Sequence, residues 1–337
     1  RIGIGIIGAG KAGSNFAQTL RGLSEQAETI GFCTAHSETA RKAAERFEAR
    51  LGTEDLSELL EREDVDAVIV ATPDRHHCRQ VVAAAEAGKH VLCEKPMCRS
   101  QEEAQSMIAA CRDNGVTLMI GFTDRFNQPC LEAKRRIDAG EIGVPRMILA
   151  RRAHPRSVVR GRQWLNDGET GGVLNYSGTH NIDLICWYMG AAPQRVHGEM
   201  GQLILEGQEF TDCAVMTFKF PDGRIAALYE TFAYPENYPH GVDRSVEILG
   251  DRGLIKIDLM CQPLKIHTPE GLSLADSVTW PEGAHGLEGA LRAEVEHFLE
   301  CIREGSEPMT GGGEGMLAIR IASAARRASE SGRSVRL

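Results

Sequence analysis

A glycine-rich loop near the start of the chain constrains its fold more than any other feature. Gly8, Gly10 and Gly13 follow an apolar segment, Ile2–Ile7, and precede an amphipathic stretch over residues 12–22. In a strand–loop–helix unit, the first glycine permits the tight turn, the second lets the backbone approach a pyrophosphate, and the third lets the helix pack on the strand. The alternative is a glycine-rich surface turn. The residues expected to bind a dinucleotide here are Gly8, Gly10, Lys11, Ala12 and Gly13.

The first 120 residues alternate short apolar segments with amphipathic ones, a pattern typical of βαβ units on a parallel sheet. The predicted strands are Ile2–Ile7, Thr29–Thr34, Ala67–Ala71, His90–Cys93 and Thr117–Ile120. The predicted helices lie near residues 12–22, 38–50, 55–62, 75–87 and 101–114. This order predicts a doubly wound Rossmann domain.

The pattern changes after a predicted helix near 128–139, where apolar residues alternate with charged ones and indicate an antiparallel sheet with one covered face. The predicted strands are Arg146–Arg152, Ala214–Phe220, Arg224–Phe232, Ser245–Leu249 and Leu254–Leu259. Further helices are predicted near 179–189, 287–303 and 313–329. The chain is therefore expected to be an α/β protein with two domains, a Rossmann domain over residues 1–124 and an α+β domain over residues 125–337.

The net charge excludes several classes of partner. Lys and Arg number 38, Asp and Glu number 47, and the formal charge is −9. Such a surface repels nucleic acids and anionic membranes, and no apolar run reaches the ~18 residues that span a bilayer. No signal peptide is visible before the first strand, and the ten cysteines form no C-x-x-C pair. We therefore expect a cytoplasmic protein without nucleic-acid or membrane partners and without a bound metal.

The residues after the second predicted strand bear on cofactor choice. An NAD site usually has an acid here that binds the adenosine ribose. This chain has Thr34 instead, and no carboxylate follows before Glu38. Because an acid would repel a 2′-phosphate, its absence favours NADP over NAD, with Thr34 and Ser37 as expected contacts and His36 or Arg41 near the phosphate.

Two motifs carry a resemblance to a known family. One is Thr72-Pro73 followed by His77, and the other is Glu94-Lys95-Pro96 after an apolar strand. With these motifs the chain resembles the glucose–fructose oxidoreductase/inositol dehydrogenase/rhizopine-catabolism (Gfo/Idh/MocA) family. The resemblance covers nearly the whole chain and includes Gly121–Asn127, Gly140–Gly143 and Gly171–Asp183.

The resemblance implies a nicotinamide cofactor, NAD(P), and a sugar or cyclitol substrate. It also implies that the C-terminal domain carries a large, open, mixed and mostly antiparallel sheet, through which a homo-oligomer, a dimer or tetramer, would form. The additional cofactor-binding residues that it implies are Thr72, Pro73, His77, Glu94 and Lys95.

Oxidation of a secondary alcohol requires a hydride acceptor and a side chain that accepts the hydroxyl proton. Lys95 follows a buried strand, at the sheet edge where such folds bind ligands, and it is the first candidate for a proton shuttle. His180 lies where the family carries a histidine, and an imidazole exchanges protons near neutral pH. The alternatives are a surface lysine and a histidine buried in the core.

Tyr176 departs from the family, many of whose members have Asp at this position. Residues 176 and 180 share a helical face if the helix begins this early, so that Tyr176 would assist His180. A phenol donates a proton to a carbonyl but is a poorer base than a carboxylate.

Weaker candidates for substrate contacts surround these residues. Arg151, Arg152, Arg156, Arg160 and Arg162 concentrate positive charge, which suits an anionic substrate or, as the alternative, a solvated loop or subunit contact. The aromatic segment from Tyr234 to His240 could stack on a sugar ring or form a packed sheet corner. The candidate substrate residues are Asn175, Asp183, Arg152, Trp164 and His240.

Three functions from different classes fit these features. The first is a nicotinamide-dependent oxidoreductase acting on a secondary alcohol or ketone of a sugar or cyclitol. The second is a glycosidase or lyase that oxidises its substrate transiently. The third is a non-catalytic nucleotide sensor, against which the presence of both Lys95 and His180 argues, since a sensor needs no proton relay.

Overall fold

The fold was analysed in a computed structural model that describes residues 1–160, 165, 172–238, 242–260, 265–268, 271–274, 280–284 and 286–337. The chain forms two compact units. Unit 1 comprises Arg1–Phe126 and Trp280–Met316, and unit 2 comprises Asn127–Thr279 and Leu317–Leu337. The predicted division into 1–124 and 125–337 treats each domain as one continuous stretch, whereas in the structure the segment Trp280–Met316 returns to unit 1.

Unit 1 is built on a six-stranded parallel sheet, which confirms the predicted Rossmann architecture. Its strand order is β3-β2-β1-β4-β5-β6. Apolar residues dominate the central strands because helices cover both faces of such a sheet. The strands are β1 (Ile2–Ile7), β2 (Ala27–Cys33), β3 (Leu51–Thr53), β4 (Ala67–Val70), β5 (His90–Glu94) and β6 (Leu118–Gly121).

Among its described residues, this unit has six complete α-helices, and the last of them comes from the C-terminal part of the chain. They are α1 (Lys11–Arg21), α2 (Ser37–Phe47), α3 (Leu56–Leu60), α4 (His77–Glu86), α5 (Gln101–Asp113) and α8 (Ala290–Glu304). Leu291, Val295 and Phe298 of α8 share one hydrophobic core with Phe16 and Leu20 of α1. Burial of these apolar side chains is what joins the Trp280–Met316 segment to unit 1.

Unit 2 contains a seven-stranded mixed sheet in the order β12-β11-β7-β10-β9-β8-β15. Only the β7–β10 pair is parallel, so the sheet is mostly antiparallel, as predicted. Its strands are β7 (Pro145–Pro155), β8 (Arg195–Gly201), β9 (Cys213–Lys219), β10 (Ile225–Tyr234), β11 (Asp243–Gly250), β12 (Leu254–Asp258) and β15 (Val335–Arg336). A separate hairpin pairs β13 (Lys265–Thr268) with β14 (Gly271–Leu274). The helices are α6 (Gln128–Asp138), α7 (Thr179–Met189) and most of α9 (Gly312–Ser331).

The two faces of the unit 2 sheet differ in exposure. Ile148, Ala226 and Met216 are buried on one face, where α7 packs on β7 and β10. The alternate residues Leu149 and Val215 are 45% and 53% exposed on the other face. Strand alternation therefore leaves a broad, partly apolar surface open on this unit.

Most predicted elements agree with the structure to within a few residues, and the differences have local causes. The helix predicted over 38–50 ends at Phe47 because Glu48 adopts a left-handed conformation, with φ at 58°. The chain then forms the three-residue strand β3, which is too short to show alternation. Among the described residues, no helix is both long and apolar enough to cross a membrane.

The fold predicts that α8 stabilises the nucleotide-binding unit. Phe298→Ala should destabilise unit 1 by about 3–5 kcal/mol, because it removes a fully buried ring from the core shared with α1. Hydrogen exchange measured by mass spectrometry should accelerate in peptides covering α1 and β1. Glu300→Ala, at an exposed position of the same helix, is the matched control and should leave the exchange unchanged.

Candidate functional site

The glycine-rich loop lies between β1 and α1, as its spacing predicts. Gly8 has a φ of +103°, which favours glycine, and a side chain there would meet the carbonyl oxygen of Ala71 at 2.6 Å. A Cβ on Gly13 would lie 1.9 Å from the carbonyl oxygen of Gly8. Both glycines are therefore required by the protein's own packing.

Gly10 differs from the other two glycines. A Cβ built on it meets nothing within 4 Å, and its φ of −70° is accessible to any residue. Packing therefore does not explain this glycine, whereas close approach of a ligand to the backbone does. Gly10 is also the N-cap of α1, whose first turn contains no acidic residue, so the positive end of the helix dipole is available to an anion. The loop fits a pyrophosphate.

The loop after β2 carries the residues predicted to determine cofactor choice. The Thr34 hydroxyl donates to the carbonyl of His36 at 2.8 Å, which fixes the turn before α2. The backbone N–H of Ser37, the first residue of α2, donates to Oε2 of Glu54 at 3.1 Å. Glu54 follows β3, so a carboxylate reaches this turn from a strand that the sequence pattern did not reveal.

The Thr72–His77 segment lies at the carboxyl end of β4. Thr72 donates through its hydroxyl to Oε1 of Gln80 at 2.5 Å. His77 is buried, and its ring nitrogens lie 3.0 Å from the carbonyl oxygen of Pro96 and 2.7 Å from that of Thr72. Burial lowers the pKa of His77, while the Thr72 carbonyl opposes this shift. The imidazole thus ties the loop after β4 to the loop after β5.

Glu94 and Lys95 lie at the carboxyl end of β5, and the peptide bond from Lys95 to Pro96 is cis. Oε2 of Glu94 accepts the backbone N–H of Lys95 at 3.1 Å. Burial raises the pKa of Glu94, and the positive charge of Lys95 counteracts part of that shift.

A second carboxyl group lies behind this loop. Glu294 of α8 is fully buried and accepts a hydrogen bond from the Thr123 hydroxyl at 3.1 Å. Burial, followed by the charge of Glu94, raises the pKa of Glu294 well above its usual value. Burial therefore favours the neutral form of this carboxyl group. Glu294 is not among the residues predicted from the sequence, although an acid among the apolar positions Leu291, Val295 and Phe298 is a detectable signal.

In unit 2, a π-helical turn over Leu174–Gly178 leads directly into α7. π-helical turns are rare in proteins, and those that occur are often found at functional sites. Tyr176 lies in this turn and packs edge-on against Phe232, with ring centroids 5.7 Å apart. His180 lies in the first turn of α7 and is buried. The structure therefore places both residues within one turn of the same continuous helix, although the α-helical geometry assumed from the sequence does not hold at Tyr176.

Buried polar side chains support this helix from the sheet below. Asn181 donates to Oε1 of Glu230 at 2.8 Å, and both residues are buried. Glu230 of β10 lies beside Arg152 of β7 in register. Asn175, Arg152 and Asp183 are likewise buried. Glu230 was not expected from the sequence, because strand alternation does not distinguish a buried acid from an exposed one.

The weaker substrate candidates are distributed differently. Arg151 pairs with Asp243 at 3.2 Å, and Arg160 pairs with Glu236 at 3.3 Å, so these two arginines have acidic partners. Tyr234 and Tyr238 contact each other, with centroids 4.7 Å apart. Trp164, His240 and Arg162 lie outside the described residues. Within the described part of the chain, no group of three or more His, Cys, Asp and Glu residues is arranged to hold a metal ion.

Family profiles match both halves of the chain. The profile described as the oxidoreductase family with an NAD-binding Rossmann fold (Gfo/Idh/MocA) matches residues 2–122. Its companion, described as the C-terminal alpha/beta domain of that oxidoreductase family, matches residues 134–337.

Individual relatives agree with these profiles. The chain is 27% identical to scyllo-inositol 2-dehydrogenase (NAD(+)) of Bacillus subtilis, over 98% of this chain and 95% of the relative. It is 32% identical to 2,7-anhydro-N-acetylneuraminate hydratase of Mediterraneibacter gnavus, over 77% of this chain and 67% of the relative. A similar fold occurs in scyllo-inositol dehydrogenase from Lactobacillus casei with bound NAD(H) and scyllo-inositol, with a TM-score of 0.85 and 22% identity over 99% and 98% of the two chains.

The contrast between the glycines predicts separate effects on binding and folding. Gly10→Val should abolish NAD binding in calorimetric titration without lowering the thermal unfolding midpoint, because its side chain enters space that the protein leaves open. Gly13→Ala should lower the unfolding midpoint, because its methyl group collides with the Gly8 carbonyl. Native NAD affinity in Gly10→Val would place the cofactor elsewhere.

Proposed function

The chain belongs to the Gfo/Idh/MocA oxidoreductase family, and from that premise we propose that it transfers a hydride between NAD and a secondary alcohol carbon of a cyclitol or a closely related sugar. The observation that carries this proposal is the open space at Gly10, at the N-terminus of a helix without acidic residues in its first turn. That space suits the pyrophosphate of a dinucleotide. The reaction class, oxidation and reduction, is inferred from membership of the oxidoreductase family.

The extent of similarity favours a cyclitol dehydrogenase over a lyase. The inositol dehydrogenase of Bacillus subtilis aligns with 98% of this chain and 95% of its own length. The hydratase of Mediterraneibacter gnavus has a higher sequence identity, 32%, but its alignment covers only 77% of this chain and 67% of its own length. A relative that matches both domains throughout is the better guide to a reaction that requires both.

The proton chemistry falls to side chains of the protein. NAD, when bound, supplies the hydride acceptor. Oxidation of the alcohol also releases its hydroxyl proton, and we assign Lys95 and His180 to accept and return it. Lys95 suits this function because its backbone is held by Glu94 and because the loop that carries it is tied to the loop after β4 by His77. His77 and Glu94 thus act as positioning residues for Lys95, while Thr72 and Pro73 border the cofactor.

Within unit 2, polar side chains in and around α7 are proposed as contacts for the substrate. Tyr176 would donate a hydrogen bond or a proton to the substrate oxygen, assisted by Asn175 and Asp183. Arg152 and Glu230 are adjacent on neighbouring strands, and Asn181 connects Glu230 to α7. We therefore assign Arg152 to supporting the helix that carries His180, alongside its candidate contact with substrate.

The exposed sheet face of unit 2 is proposed to join copies of this chain. Leu149, Val215, Ile225 and Tyr229 project from neighbouring strands and are all at least 36% exposed. Contiguous apolar side chains on an open sheet favour association. Light scattering after size-exclusion chromatography measures the assembly, and a monomer at all concentrations would contradict this proposal.

The reaction is tested directly by measuring NAD reduction, at 340 nm, with a panel of inositols and sugars and with NADP in parallel. We expect turnover with at least one inositol stereoisomer. Release of an unsaturated or hydrated product without net formation of NADH would instead favour the lyase.

Lys95→Ala should lower kcat by about 10²–10⁴-fold, because positioned acid–base groups contribute that much to rate, and should leave NAD affinity nearly unchanged. Lys89→Ala removes a half-buried lysine just before the opposite end of β5, where its ammonium group donates to the Arg62 carbonyl at 3.0 Å. This variant should retain full activity, which makes it the matched control. Near-native turnover in Lys95→Ala would remove this residue from the mechanism and favour a nucleotide sensor.

Tyr176→Phe keeps the ring that packs on Phe232 and removes only the hydroxyl group. If the phenol donates to the substrate oxygen, kcat should fall about a hundredfold while the unfolding midpoint stays constant. The function of His180 is tested by measuring kcat/KM as a function of pH. His180→Asn should remove the part of this pH dependence that comes from imidazole ionisation. A loss of less than about threefold in Tyr176→Phe would show that this side chain only lines the site.

A further inference from the structure

A carboxylate occupies the first backbone donor of α2. Oε2 of Glu54 accepts the N–H of Ser37 at 3.1 Å, and the side chain of the N-cap residue His36 makes no capping hydrogen bond. Both Glu54 and Ser37 are exposed. The carboxylate therefore stabilises the positive end of the α2 dipole and remains accessible from solvent.

Strand register fixes where this carboxylate lies. Cys33 at the end of β2 pairs with Thr53 at the end of β3, and the Thr34 N–H donates to the Thr53 carbonyl at 3.1 Å. Glu54, which follows Thr53, is therefore next to Thr34 at the carboxyl edge of the sheet. In a dinucleotide-binding Rossmann unit, this is the position where an acid after β2 contacts the adenosine ribose.

The surrounding charges are predominantly negative. Asp55 and Glu58 also lie near the end of β2, and together with burial, which is the larger cause, they raise the pKa of Cys33 to about 11. The nearby cations on α2 have acidic partners, since Arg41 pairs with Glu45 and Lys42 pairs with Glu38. A 2′-phosphate placed here would need the backbone N–H of Ser37 as a donor, but Glu54 already accepts that N–H. The negative charge of Glu54 would also repel the phosphate.

We propose that Glu54 determines cofactor choice, accepting a hydrogen bond from the adenosine ribose of NAD and excluding the 2′-phosphate of NADP. This inference rests on the proposed function in requiring a nicotinamide dinucleotide at the glycine-rich loop. It reverses the preference expected from Thr34 alone, because the missing acid of β2 is supplied from the end of β3. A carboxylate accepts several hydrogen bonds at once, so it can hold Ser37 and a ribose hydroxyl together.

The test compares Glu54→Gln with the wild-type protein by calorimetric titration of NAD and NADP. The Gln amide oxygen can still accept the Ser37 N–H, so α2 should remain intact. Removing the negative charge should improve NADP binding about tenfold relative to NAD, since like charges a few ångströms apart repel on this scale in water. Glu63→Gln removes the same charge from an exposed position in the turn before β4, at the amino end of that strand, and is the matched control, for which the ratio of the two affinities should stay within about twofold.

The outcomes separate the two proposals. Wild-type protein that prefers NAD, with a ratio shifted in Glu54→Gln but not in Glu63→Gln, supports Glu54 as the determinant. An unchanged ratio in Glu54→Gln, or wild-type binding of NADP as tight as that of NAD, overturns this inference and leaves the oxidoreductase intact. If neither nucleotide binds the wild-type protein, both proposals are wrong.

Discussion

The contact between Gly13 and the carbonyl of Gly8 is the constraint on which the nucleotide end of unit 1 depends. It brings the first turn of α1 against the end of β1, closer than any side chain permits. Only in that position does Gly10 become the N-cap of α1 and leave open space in front of its backbone. The positive end of the α1 dipole is then directed at this open space. The first turn of α1 contains no acidic residue that would neutralise it. One packing contact thus creates both the shape and the charge that a pyrophosphate requires.

Much of this arrangement follows from the sequence, because it depends on local patterns. The strand, glycine loop and helix at Ile2–Arg21 are contiguous, so spacing alone predicts them. The alternation in β7 and β10 likewise predicts an antiparallel-type sheet with one covered face, although the parallel pairing of these two strands does not follow from it. The two segments that carry the family resemblance, Thr72–His77 and Glu94–Pro96, lie at the carboxyl ends of β4 and β5.

Residues brought together by tertiary structure were not predictable in the same way. Glu54 reaches α2 only through the pairing of β2 with the three-residue strand β3. Glu294 is 200 residues from Glu94 in sequence, and the charge of Glu94 reaches it because α8 packs within unit 1. The π-helical turn at Tyr176 has no simple sequence signature, and it ends at Gly178, where a Cβ would lie 3.4 Å from the side chain of Glu230. In each case the surroundings of the residue are formed by a segment far along the chain.

The return of α8 to unit 1 has a consequence for the order in which the chain can fold during synthesis. The apolar surface of α1 is fully covered only after Leu291, Val295 and Phe298 have been made. At ordinary translation rates, roughly 10–35 s separate the synthesis of Phe126 from that of Leu299. During this interval the nascent Rossmann sheet has its strands but lacks one covering helix, and its exposed apolar surface is a target for chaperones. The connectivity of this chain therefore makes completion of the hydrophobic core of unit 1 a late event in its biogenesis.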